Sequence, residues 1–85
     1  MIKIELVKFY KETGLADFEV TKGKDEYFTC HADVCLNDFI DGQQVIKPTS
    51  WFDMEEDYAD QPEWFKRNEL FLLNNVFEEH FREFL

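Results

Sequence analysis

Basic residues are scarce in this chain: 9 Lys plus Arg stand against 19 Asp plus Glu, for a formal charge of −10. That balance argues against direct nucleic-acid binding, which needs a basic face, and equally against attachment to anionic lipid. Cysteine is almost absent too. Cys30 and Cys35 are too few for a disulfide framework, in keeping with a reducing compartment. Ser50 is the single serine, and no nucleophile elbow or Gly-rich loop surrounds it, His31 or His80, so nucleophilic catalysis has no visible machinery. With 3 Gly, 2 Pro, no repeat and no low-complexity run, long linkers are not expected. No stretch approaches the roughly 18 apolar residues of a membrane helix. The opening MIKIELVKFYKE carries charge at every second or third position where a signal peptide would be apolar, so a cytoplasmic protein is expected.

What the chain does have is aromatic bulk. Ten Phe, three Tyr and two Trp in 85 residues supply large buried areas per side chain, enough for one domain over residues 1–85 with one modest core. Ile2, Ile4 and Leu6 alternate with Lys3 and Glu5 as a half-buried strand does. Val7 and Phe9 then change parity, which calls for a bulge near Leu6–Val7 or for cover on both faces. Ala16, Phe18 and Val20 mark a second strand. Phe28, Cys30, Ala32, Val34 and Leu36 mark a third, opposite Tyr27, Thr29, His31, Asp33 and Cys35. Asn37 to Gly42 reads as a turn with Phe39 and Ile40 tucked toward the core, and Gln43–Lys47 as a fourth strand stopped or moved to an edge by Pro48.

From Gln61 the period becomes helical, with Asp60 as cap, Pro62 in the first turn and an apolar stripe of Leu70, Leu73, Phe77, Phe81 and Phe84 flanked by Val76. The expectation is an α+β fold: an antiparallel four-stranded sheet over about residues 1–52, an acidic loop over 53–61, and one C-terminal helix over 62–85 packed on one face. At 100° per residue, Trp64 and Phe71 fall on the helix side away from that stripe. They are either an interface, or covered by the 53–61 loop with Trp51, Phe52 or Tyr58 as lid.

Two clusters invite a metal. In Cys30-His31-Ala32-Asp33-Val34-Cys35 a strand would put Cys30 and Cys35 on opposite faces about 16 Å apart, whereas zinc ligands must converge at about 2.3 Å. Cys30 is then a small core residue, with His31 and Asp33 on the solvent face. Asp53-Met54-Glu55-Glu56-Asp57 resembles the start of a calcium loop, yet Tyr58 stands where the loop needs Gly and Trp64 where it needs Glu. No metal, no cofactor and no catalytic residue are expected.

The segment WFDMEEDYADQPEW (residues 51–64) is the most distinctive stretch. Six like charges in eleven residues, Asp53 to Glu63, repel one another, so they lower the stability of a small compact state. Residues 53–85 hold 10 acids and 3 bases, net −7, against 9 acids and 6 bases, net −3, in residues 1–52. Charge runs usually serve solubility. Aromatic rings among carboxylates also suit a basic partner, which the charges steer and the rings anchor. The residues assigned to partner binding are Asp53, Glu55, Glu56, Asp57 and Asp60 as the electrostatic part and Tyr58, Trp64 and Phe71 as anchors, with Glu78, Glu79 and Glu83 extending the surface along the helix.

In size, acidity and aromatic-rich α+β design, the chain resembles the small acidic inhibitors carried by phages and mobile elements, the anti-CRISPR and anti-restriction proteins, some of which imitate the charge of DNA. The opening MIKIELVKFYKET is also similar to the first strand of bacteriocin nuclease immunity proteins. Both resemblances imply a non-enzymatic inhibitor in the host-cell cytoplasm that occupies the basic surface of a nucleic-acid-processing protein. The alternatives are a nuclease-toxin immunity protein, or a structural adaptor domain that forms a homodimer.

Overall fold

A computed structural model of the chain describes residues 1–40, 43–66 and 70–81, and the side chains of residues 1–34, 46–66 and 70–80. The alternating segments form one antiparallel sheet of five strands in sequential order: β1 (Ile2–Tyr10), β2 (Leu15–Lys22), β3 (Glu26–Ile40), β4 (Gln43–Phe52) and β5 (Tyr58–Ala59). One helix follows, α1 (Leu70–Phe81). The fold is α+β as expected, with one strand more than the four read from the sequence.

The parity change in β1 is a bulge. Leu6 faces Phe18 but Lys8 faces Asp17, so Val7 is the unpaired extra residue. Val7 points to solvent, and Phe9, opposite Ala16, turns inward and is buried. Gly14 closes the β1–β2 turn at φ 75°, where its N–H reaches the Tyr10 carbonyl at 2.8 Å and its own carbonyl accepts from Val34 N–H at 2.7 Å. A Cβ there would meet the Val34 carbonyl at 3.2 Å, so both the backbone angle and the neighbour favour glycine.

β3 and β4 run further than their sequences advertise. Residues 37–40, read as turn, continue β3, with an irregularity in the pairing between Cys35 and Phe39. β4 continues through Pro48. The register shifts between His31–Ser50 and Ala32–Pro48, leaving Thr49 as the extra residue, and its hydroxyl donates to the His31 carbonyl at 3.1 Å. β5 pairs only with Trp51 and Phe52, so the missing N–H of Pro48 interrupts no ladder bond on that side. The side chains of Cys35, Leu36, Phe39, Ile40 and Phe81, the whole of residues 41–42, and Arg82, Glu83 and Phe84 lie outside the described residues.

The helical stripe is confirmed in its central part: Leu73 and Phe77 are fully buried, with Leu70 and Val76 packed alongside. They seat α1 on the sheet face carrying Phe9, Ala16, Phe18, Val20, Cys30, Ala32 and Val34, with Phe77 edge-on to Phe9 at 5.0 Å. The helix does not start at Pro62. Residues 60–66 are a non-helical crossing segment in which Phe65 N–H donates to the Pro62 carbonyl at 2.9 Å and the Gln61 side-chain amide donates to the Phe65 carbonyl at 2.6 Å. Pro62 and Phe65 are buried, and the Phe65 ring lies 4.9 Å from that of Trp51. Among the described residues no helix is long and apolar enough to cross a membrane.

Candidate functional site

The acidic segment is a β-hairpin, not an irregular loop. Phe52 pairs with Tyr58 and Trp51 with Ala59, and Met54, Glu55 and Glu56 form the tip. Asp53 builds it. Its carboxylate Oδ1 accepts the N–H of Glu55 at 2.9 Å and of Asp57 at 3.0 Å, while its carbonyl accepts Glu56 N–H at 3.0 Å. This is an Asx-type turn followed by a residue in the left-handed region, Glu56 at φ 65°, a position that three-residue hairpin loops normally give to glycine. Asp53 is therefore committed to the fold and half-buried, whereas Glu55, Glu56, Asp57 and Asp60 are exposed. Met54 and Tyr58, the latter 74% exposed, flank them.

Below the tip, the sheet face opposite α1 carries an aromatic ladder. Register places Glu19, Thr29, Phe52 and Tyr58 in one row across β2 to β5, and Asp17, His31 and Ser50 in the next. The Phe52 ring lies 5.0 Å from His31 and 5.3 Å from Tyr58, and the Tyr58 and Ser50 hydroxyls are 3.3 Å apart. His31 Nε2 lies 3.6 Å from Asp17 Oδ1. Hydrogen bonding to Glu19, then burial, raises the Tyr27 phenol above its ordinary pKa. Between these groups is an open depression of about 240 Å³ lined by Thr29, His31, Phe52 and Glu56.

The remaining assigned residues are dispersed. Trp64 is not on the helix. Its indole packs on Phe28 and Phe65 at 6.0 and 6.3 Å, donates its N–H to the Glu26 carboxylate, and lies under the Lys22 ammonium at 5.4 Å. Its partners tie the crossing segment to the β2–β3 hairpin, and the acidic hairpin is not its lid. Phe71 stays 53% exposed on the outer side of α1, with Leu72 beside it. Glu78 and Glu79 are exposed but follow Phe77, which sits on β1, the edge strand opposite the acidic hairpin, and Glu83 lies outside the described residues.

His31, Phe52 and Thr29 were missing from the sequence assignment. The parity of β3 puts Thr29 and His31 on the outer face, but the pairing of Tyr58 with Phe52 rests on a strand of two residues, too short to show a period in the sequence. Cys30 is fully buried as expected, and burial pushes its thiol up to about 12. His31 and Asp33 face away from it. Among the described residues, no three His, Cys, Asp or Glu side chains are placed to hold a metal ion. Comparisons with protein-family models, with curated proteins and with solved structures each gave no match.

Proposed function

We propose that this protein is an acidic inhibitor that binds and blocks the basic surface of a nucleic-acid-processing protein. The observation that carries the reading is the ordered hairpin tip, which leaves Glu55, Glu56 and Asp57 exposed between exposed Met54 and Tyr58 on a chain of net charge −10. Proteins that grip duplex nucleic acid array Lys and Arg against about one phosphate per 1.7 Å of axis. A preorganised row of carboxylates meets such an array with little ordering cost, long-range attraction speeds the encounter, and the bound inhibitor excludes the nucleic acid sterically. This is the anti-CRISPR or anti-restriction mode of action, acting in the cytoplasm of the host cell, without direct nucleic-acid contact and without catalysis.

The test is affinity capture from host lysate with elution by salt, followed by titration of the eluted partner. Binding should weaken steeply with salt and be lost when Glu55, Glu56 and Asp57 are all replaced by Lys. Full retention by that variant overturns the reading. A second reading, self-association through α1, is supported by the exposed Phe71 and Leu72. It requires a solution mass near twice 10.3 kDa that reverts to the monomer on Phe71→Ala.

A further inference from the structure

We propose that the depression between the acidic hairpin and the open sheet face is a receptor for a single arginine side chain of the basic partner. This rests on the inhibitor reading and names its anchor. The depression holds three kinds of group that a guanidinium uses together. The Phe52 ring supplies a π-face, held by its neighbours His31 and Tyr58 at 5.0 and 5.3 Å. Glu56 and Thr29, which also line the depression, carry a carboxylate and a hydroxyl that a guanidinium can donate to. Asp17 and Glu19, on the same sheet face beside His31 and Thr29, add negative potential from the β2 side.

Glu56 joins the tip of the hairpin to the depression. With its left-handed backbone at φ 65°, it is the tip residue that lines the depression, while Glu55 and Asp57 are not part of that lining. The volume of about 240 Å³ is large for an ion alone and small for a nucleotide or a peptide segment. Charge separates the remaining side chains: a chain of net −10 with a carboxylate in the lining selects a cation. Arginine is preferred over lysine because a planar, weakly hydrated guanidinium stacks on a ring while donating to Glu56 and Thr29, whereas an ammonium keeps its water.

The probe is the blocked peptide acetyl-Gly-Arg-Gly-amide, titrated into the ¹⁵N,¹³C-labelled protein beside its lysine and citrulline counterparts. The arginine peptide should shift the resonances of Thr29, His31, Phe52 and Glu56 saturably, the lysine peptide severalfold more weakly, and the neutral citrulline peptide not at all. Phe52→Leu, which keeps bulk and removes the ring, should weaken binding by about threefold to tenfold. Glu56→Gly should also weaken it while leaving a fold at least as stable, so loss of binding there is not loss of structure. Equal shifts with citrulline, or arginine shifts confined to Glu55 and Asp57, overturn the pocket while leaving the inhibitor reading standing. Conversely, if the partner is retained by the triple Lys variant, the inhibitor reading falls whatever the peptide does.

Discussion

Asp53 and Asp57 are tied together twice, by Asp53 N–H to the Asp57 carbonyl at 2.9 Å and by Asp57 N–H to the Asp53 carboxylate at 3.0 Å. The two bonds divide the carboxylates of the hairpin by role, one spent inside the turn and the others left exposed. They also resolve a conflict in the sequence. A run of like charges opposes compaction, and here one member of the run supplies the hydrogen bonds that keep its neighbours ordered.

Asp53→Ala should therefore destabilise the protein by about 1–3 kcal/mol, since it removes charge-assisted bonds to two backbone donors. Asp53→Asn, which retains an acceptor oxygen, should lose less. Glu55→Gln, which changes an exposed side chain and keeps the backbone N–H bonded to Asp53, should change stability by no more than about 0.5 kcal/mol. Urea unfolding checks the totals. Amide exchange at Asp57 separates local opening of the hairpin from global unfolding, and should accelerate in Asp53→Ala alone.

Glu56→Gly should act in the opposite direction. A non-glycine residue in the left-handed region costs about 1–2 kcal/mol, partly offset because glycine loses more chain entropy on folding. The expected net gain is about 0.5–1 kcal/mol, read as a higher denaturation midpoint at unchanged denaturant sensitivity. A lower midpoint would mean that the Glu56 side chain contributes more to the fold than its backbone angle costs. Gain in stability with loss of arginine binding would identify Glu56 as a strained residue kept for the contact it makes.

Phe65→Ala should be among the most damaging substitutions, at about 3–5 kcal/mol. Phe65 is 1% exposed and packs on Trp51 at 4.9 Å, although it lies outside any strand or helix. Denaturant unfolding followed by tryptophan fluorescence measures the loss. A cost below about 1 kcal/mol, the level of an ordinary substitution, would show that the crossing segment is not part of the core.

Phe65 also shows where sequence reading stops. Strands β1 and β2, β3 as far as Leu36, and the Leu73–Phe77 part of α1 are legible because apolar residues recur there with the period of a strand or a helix. Even the Val7 bulge announced itself as a change of parity. The segment from Asp60 to Lys66 carries the marks of a helix start, a cap residue followed by Pro62, but the same residues suit a turn. The choice is made by Trp51, Phe28 and Phe65 closing one end of the core, a tertiary contact that local pattern does not contain. The placement of Trp64 follows from the same contact: a helix would turn it toward an interface or under the 53–61 loop, whereas the crossing segment lays it on Phe28 with its N–H on Glu26. The fifth strand was hidden for a different reason. Its two residues are too few for a period, and its register comes from the Asp53 turn.

The Cys30 thiol provides a pH signature of the folded core. Desolvation, with a smaller contribution from Asp17, raises it from 9.0 to about 12. Between those values the unfolded chain releases the proton and the folded chain keeps it. Folding stability from this group is thus complete below about pH 9 and falls as pH climbs toward about 12. Cys30→Ala removes that slope at the cost of a small cavity in the core. Unfolding free energies at pH 7 and pH 10.5 should then differ more in the wild type than in Cys30→Ala. The raised Tyr27 phenol contributes the same sign of slope to both proteins and cancels in the comparison. Modification by a thiol reagent at pH 8 gives a second readout: Cys30, with no exposed surface, should react only at the rate of unfolding, and rapid labelling of the native protein at this position would contradict its burial.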